Sequence, residues 1–333
     1  MTLAQHFLLS AKARTLSLAS VLRMSDAQAE RTFADVRWPE TDGKAVCPHC
    51  GCPTCYEARR PSGALRFRCK ACRKDFSLTS GTLFAFHKLP LQTYLAATVI
   101  FCNEVKGKSA LALSRDLDVQ YKTAWVLAHK LREAMATEVK GYKLGGVGKT
   151  VEVDGAYFGG YVKPANHKEN RRDRRVVKNQ TGKRQVVVVI RQRDGMVMPS
   201  AFKTEGSALA YIRNHVAAGT EIHADEANSW NDLHGHYVVK RINHQLSYSD
   251  GIACTNGAES FFSRLRRAET GHHHHIAGAY LARYAQESAW REGRRRTDNG
   301  GQVRGVVGLA LKARPSVDFC GYWQRAAYYT PST

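Results

Sequence analysis

Asp154 ends the apolar run Thr-Val-Glu-Val-Asp, Asp225 ends Glu-Ile-His-Ala-Asp, and Glu259 lies in the helical stretch Thr-Asn-Gly-Ala-Glu-Ser-Phe-Phe. Two of these acids close strands and one rides a helix, a layout by which a sheet and a packed helix gather distant carboxylates around divalent cations. A charge at the end of an apolar strand is expensive unless it meets a cation or a hydrogen-bond donor. A metal pair ~3.5–4 Å apart, Mg²⁺ or Mn²⁺, would neutralise the trio and serve both the attacking and the leaving oxygen of a phosphoryl transfer. The plain alternative for each acid alone is a local hydrogen bond. Glu152 and His223 fall on the same strand faces as Asp154 and Asp225, as side-chain alternation requires. They read as outer support or as spare ligands.

A second chemical cluster comes earlier: six of the nine cysteines lie between Cys47 and Cys72. Cys47-x-x-Cys50 and Cys69-x-x-Cys72 have the knuckle spacing that surrounds Zn²⁺ with four thiolates. Cys52-x-x-Cys55 offers a competing pair, and free or redox-active thiols are the alternative to a metal site. The outer pair is preferred because Cys-Pro-His-Cys-Gly has the turn chemistry of a knuckle. Such a cluster points to a reducing compartment, hence a cytoplasmic and nucleoid-associated protein, rather than a disulfide scaffold.

The chain has 333 residues, with 50 Lys and Arg against 29 Asp and Glu, a formal charge of +21. Neutralising phosphates releases counterions, so this excess favours a nucleic-acid partner. An anionic membrane surface fits less well, since the basic residues do not gather on one amphipathic segment. The longest apolar candidate, Leu89 to Cys102, contains Gln92, Thr93 and Tyr94 and does not read as a membrane span. The first residues lack an export pattern. Arg171, Arg172, Arg174 and Arg175, with Arg264, Arg266 and Arg267, form the clearest phosphate footprint. His272 to His275 read as a native solvated loop, with a phosphate or metal role as the alternative.

These residues need elements to position them. Ser25 is an N-cap for a helix ended by Pro39, and Pro61-Ser62-Gly63 is a turn between two short strands. Helices are expected at Leu91 to Asn103, Ser109 to Leu117 and from Gln120 onward. Leu113, Leu117, Val119, Ala124, Trp125 and Ala128 give the last two a common buried face. That helix-turn-helix would present Gln120, Lys122 and Thr123 to a major groove, an ordinary helical hairpin being the alternative. After a glycine-rich linker at Gly141 to Lys149, strands are expected at Val151 to Phe158, Arg184 to Arg193, Met196 to Phe202, Thr220 to Ala224 and His236 to Ile242. Asp194-Gly195 makes the hairpin turn. Helices are expected at Ser207 to Val216, Glu259 to Arg267 and Ile276 to Arg291, and the chain beyond Arg294 reads as loosely ordered. The fold class is therefore α/β: a ribonuclease H-like mixed sheet with flanking helices, preceded by a zinc ribbon and a helix-turn-helix. The domain boundaries are 1–44 (helical), 45–80 (zinc ribbon), 88–138 (helix-turn-helix), 148–296 (catalytic) and 297–333 (tail).

The order Trp38-Pro39, Cys-Pro-His-Cys-Gly, Arg-Cys-Lys-Ala-Cys-Arg-Lys-Asp-Phe-Ser, Lys-Thr-Ala-Trp and Val-Glu-Val-Asp-Gly-Ala-Tyr-Phe-Gly-Gly resembles the zinc-ribbon DDE transposases of bacterial insertion sequences. Asn-Gly-Ala-Glu-Ser-Phe-Phe and His-His-Ile-Ala-Gly-Ala-Tyr-Leu-Ala-Arg-Tyr look like the same group's C-terminal region, so the resemblance runs from about Ala27 to Arg295. It implies Asp154, Asp225 and Glu259 as the metal-binding triad, double-stranded DNA as partner at element ends and target, a homo-oligomer on DNA, and metal-dependent cleavage and strand transfer. The extra Cys52 and Cys55, and Cys254 where a histidine often stands, depart from the pattern. A zinc-ribbon regulator with an inactive catalytic domain is the alternative function, and a nuclease without joining activity is a third.

Overall fold

The computed structural model describes residues 6–86, 88–159, 165–172, 179, 182–193, 195–242 and 254–322. The chain divides into two compact units, one built from Met1–Glu138 with Arg294–Thr333 and the other from Val139–Gly293.

In the first unit, helices α1 (Leu18–Leu22), α2 (Asp26–Arg37) and α9 (Asn299–Lys312) pack around α3 (Leu91–Asn103). Ser25 caps α2 as expected, in a reciprocal capping box with Gln28. A three-stranded ribbon follows, with β1 (Cys55–Arg59) and β2 (Leu65–Cys69) flanking the Pro61-Ser62-Gly63 turn and β3 (Asp75–Phe76) on the far side of β2. Phe67 and Phe76 stack at 5.4 Å, and Trp38 meets both edge-on, anchoring the ribbon to the end of α2. Helices α4 (Ala110–Asp116) and α5 (Tyr121–Thr137) are the two helices expected here, joined by a short turn. Ser109 caps α4 through the Ala112 N–H, and Asp118 makes the turn in the left-handed region at φ 51°. Leu113, Ala124 and Ala128 are fully buried at the seam.

The segment from Asn299 to Lys312 differs from its expectation as loosely ordered chain. It is a helix, capped by the Asp298 carboxylate on the Gly301 N–H. Val303, Val306, Val307, Ala310 and Leu311 are buried at helical spacing. The arginine run and the Asn-Gly-Gly start disguise this stripe, because those residues suggest a loop by composition.

The second unit carries β4 (Thr150–Phe158), β5 (Gln185–Gln192), β6 (Val197–Phe202), β7 (Glu221–Asp225) and β8 (Val238–Ile242). Among the described residues these strands are ordered β6-β5-β4-β7-β8, antiparallel from β6 to β4 and parallel from β4 to β8. This is the ribonuclease H-like arrangement. Helix α6 (Leu209–His215) lies between β6 and β7 in the chain, and α7 (Asn256–Ala268) and α8 (Gly278–Gly293) follow β8. Asp194, Arg174, Arg175 and most of the basic loop lie outside the described residues.

The two sheet faces bury different partners. Val151, Val153, Val186, Val188, Ile190, Ile222 and Ala224 pack with Ala208, Ile212 and Trp230. On the other face Ala156, Phe158, Val187 and Val189 pack with Phe261, Phe262 and Leu265 of α7 and Leu281 of α8. Burial on both sides explains the unbroken Val-Val-Val-Val-Ile run of β5. Phe261 is fully buried at this second face. Phe261→Ala is expected to destabilise the unit by about 3–5 kcal/mol, read as a lower denaturation midpoint.

Candidate active site

The register of β4 and β7 decides where the first two acids stand. Val153 pairs with Ala224 in parallel, so Asp154 and Asp225 follow on adjacent strands. Asp225 ends β7 as expected, whereas Asp154, expected to close its strand, lies midway along β4, whose pairing with β5 continues to Phe158. Alternation directs both away from the face holding Val153 and Ala224, toward the side covered by α7. Glu259 sits in the first turn of α7.

What brings α7 to this place is Glu152. Its side chain is 3% exposed, and its Oε2 accepts the Ala258 N–H at 2.9 Å, meeting the positive end of the helix. Arg193 lies 3.7 Å from the other carboxylate oxygen. Glu152 is thus a structural tie between β4 and α7. His223, fully buried, has a similar role: its Nδ1 faces Arg193 Nη2 at 3.0 Å and the Cys254 N–H at 3.2 Å. With donors at Nδ1, the ring proton belongs on Nε2, which donates to Glu221 Oε1 at 2.8 Å.

The acids are held individually. Asp154 Oδ1 accepts the Gly155 N–H at 2.7 Å, and Asp225 Oδ1 accepts Trp230 Nε1–H at 2.7 Å and the Ala227 N–H at 3.3 Å. Burial first, then the Asp225 charge, and then Glu259 and Glu205 push the Asp154 carboxyl up to about 7 against the Gly155 hydrogen bond. Asp225, Glu259 and Glu205 therefore all lie within electrostatic reach of Asp154. Among the described residues, the group of ligand atoms mutually within 4.8 Å is a different one, Cys47, Cys50, Cys69 and Cys72, and the three acids do not draw together that closely.

The cysteine group resolves the ligand alternatives. Cys47 and Cys72 sulfurs are 3.6 Å apart and Cys50 and Cys69 sulfurs 3.5 Å, close to the ~3.8 Å edge of a tetrahedron with ~2.3 Å zinc–sulfur arms. The Cys72 N–H donates to Cys69 Sγ at 3.5 Å and leads the hydrogen bonds that lower that thiol to about 6, while the Cys50 thiol that shares its proton is pushed up to about 12. Gly51 and Arg73, each following a knuckle's second cysteine, adopt the left-handed conformation at φ 72° and 59°. Cys52 and Cys55 stay out of the group, their thiols near the carbonyls of Thr54 and Cys52. The four-thiol site fits Zn²⁺.

The remaining expected site residues divide by surroundings. Gln120 and Lys122 are exposed and Thr123 half-buried where α5 begins. Arg171 and Arg172 are exposed. Arg264 bonds Glu292 at 2.5 Å and Ser260 at 2.8 Å, which ties it into the protein's own contacts. Arg266 lies over the Phe158 ring and Arg267 bonds Ser263, both on the exposed face of α7. His272 and His273 end a π-turn after α7, and His274 takes a positive φ of 56°.

The family model of the ISXO2-like transposase domain matches residues 143–293, and that of the transposase zinc-ribbon domain matches residues 24–75. The chain belongs to the zinc-ribbon DDE transposases. Both matched segments coincide with structure described above: the ribbon with its α2 anchor, and the ribonuclease H-like unit that ends with α8. Comparisons with curated proteins and with solved structures give no significant match. Among the described residues no helix is long and apolar enough to cross a membrane.

Sequence reasoning missed Glu205, Ser229 and Trp230. The first two carry no periodic signal, and Trp230 belongs to an unanticipated 3₁₀ segment, Asn228–Gly235.

Two outcomes follow from this chemistry. The zinc-loaded protein is expected to release about one Zn²⁺ per chain in a colorimetric thiol-displacement assay, Cys50→Ser to lose it, and the Cys52→Ser, Cys55→Ser double variant to keep it. An acid whose folded pKa is raised destabilises the fold above its unfolded pKa, and the penalty is complete once pH passes the folded value. Asp154→Asn, whose amide oxygen can still accept the Gly155 N–H, should therefore stabilise the protein without added Mg²⁺ by on the order of 2 kcal/mol at pH 8 and hardly at pH 4, as read by thermal unfolding.

Proposed function

We propose that this transposase binds the terminal inverted repeats of its insertion sequence and catalyses metal-dependent DNA cleavage and strand transfer. The observation that carries the proposal is the parallel register setting Asp154 beside Asp225, with α7 tied down so that Glu259 comes within electrostatic reach of Asp154. These three acids would hold Mg²⁺ or Mn²⁺, which when bound supplies activation of the attacking oxygen and neutralisation of charge at the leaving oxygen.

The chain's own residues prepare that chemistry. Trp230 and the Ala227 N–H orient the Asp225 carboxylate, and the Gly155 N–H orients Asp154. From the end of β4 onward a groove of about 1270 Å³ is lined by Tyr157, Lys183, Arg184, Lys203, His274 and His275 among others. Arg184 stacks its guanidinium 4.1 Å from the Tyr157 ring centroid. Such a basic, partly aromatic groove suits a DNA backbone with an unstacked base. Arg266 and Arg267 would add phosphate contacts, as would Arg171, Arg172 and the neighbouring Arg174 and Arg175. In the other unit, α5 would present Gln120, Lys122 and Thr123 to base edges of the repeat. Because two element ends must be held together, a homo-oligomer on DNA is part of the proposal.

Asp225→Asn tests it. Cleavage and joining of element-end DNA in Mg²⁺ should fall at least about 10²-fold while affinity for the same DNA changes less than about twofold. Activity equal to the unsubstituted protein would reject the triad. Cleavage without a joined product would reduce the function to that of a nuclease.

A further inference from the structure

We propose that Glu205 is a fourth carboxylate of the divalent-metal pocket, entering it beside Asp154 and Asp225 from the sheet face opposite α7. This rests on the metal-dependent function proposed above and adds a ligand to it.

Glu205 opens the 3₁₀ turn Glu205–Ala208 that follows β6. Ala208 and then Ile212 of α6 are buried with Val153 and Ala224, so the turn is pinned to the face that α7 does not cover. From there the side chain reaches over β4 at Gly155, the residue next to Asp154. A Cβ at Gly155 would stand 2.9 Å from Glu205 Cγ, 3.0 Å from Oε1 and 3.2 Å from Cδ. A side chain at Gly155 would force the carboxylate to shift from this position.

Its other oxygen is also held. Glu205 Oε2 accepts the Ser229 hydroxyl at 3.0 Å. Ser229 belongs to the same 3₁₀ segment as Trp230, which holds Asp225, so one short segment orients two carboxylates. The Glu205 carboxyl feels Asp225 as a like charge and Arg184 as the opposing cation, and burial raises its pKa. A carboxylate placed only for stability would gain from a paired cation and from distance to other acids. Glu205 instead lies against Gly155, the neighbour of Asp154, within electrostatic reach of Asp225, and its hydrogen bond is to a neutral hydroxyl. That arrangement suits an oxygen donor to a hard divalent cation.

The test uses the zinc-loaded full chain and counts free Mn²⁺ by electron paramagnetic resonance, with Glu205→Gln, Gly155→Ala and Asp225→Asn compared with the unsubstituted protein. Gly155→Ala keeps every carboxylate and displaces only the one that occupies the Cβ position, so it decides the matter if Glu205→Gln does not fold, with far-UV circular dichroism as the check. Glu205→Gln and Gly155→Ala are each expected to weaken Mn²⁺ binding by about tenfold or more, and Asp225→Asn to abolish it. Unchanged Mn²⁺ affinity in folded Glu205→Gln, or in Gly155→Ala where that variant does not fold, alongside loss in Asp225→Asn, overturns the role of Glu205 and leaves the triad standing. Unchanged affinity in Asp225→Asn overturns both.

Discussion

The parallel pairing of β4 with β7 is the constraint on which the catalytic unit depends. Once Val153 is opposite Ala224, two strands that are far apart in sequence run side by side and set Asp154, midway along β4, next to Asp225 at the end of β7. A slip of one residue would turn either acid to the other face, into the layer of Val186, Val188 and Ile190. The apolar residues of both strands hold that register, because moving them to the wrong face would expose them and bury the acids. The price is concentrated negative charge, visible in the raised Asp154 carboxyl. The surrounding groups that bear this charge are mostly dipoles: the Gly155 and Ala227 N–H groups, the Trp230 indole and the Ser229 hydroxyl.

A second layer of polar contacts places the helix. Glu152 is spaced two residues before Asp154, yet its chemistry is different because the start of α7 takes its carboxylate. His223, two residues before Asp225, is likewise taken by Arg193, Cys254 and Glu221. Each strand thus devotes one polar side chain to holding the scaffold and presents an aspartate two residues later on the same face. Cys254 fits this network through its N–H and through a thiol 3.0 Å from Arg193.

The zinc ribbon is stabilised by a different principle. Its strands are short, β1 is largely exposed, and its core is small: Phe67 and Phe76 against Trp38, with the thiol group at the knuckles. A unit with so little buried apolar area relies on metal ligation to hold its two knuckles together. Arg37 adds to the anchor, donating to the Ser77 and Ser80 carbonyls while its guanidinium lies over Trp38.

Much of this protein is written in local pattern. Knuckle spacing, the Ser25 cap, the two-sided apolar run of β5 and the paired helices at α4 and α5 all follow from interactions between residues close in sequence, so the chain alone determined those elements and their order. Its charge of +21 also favours a polyanionic partner. Which sulfurs meet, which acid binds a helix and which aspartates stand side by side, and that Glu205 lies over Gly155, only the tertiary structure decided. The helix from Asn299 to Lys312 shows the same division: its apolar stripe was present in the sequence, but its burial against α2, α3 and α5 required partners hundreds of residues away. Contacts of that range leave no periodic trace in a sequence, because their geometry exists only after the chain has closed its sheet and packed its helices.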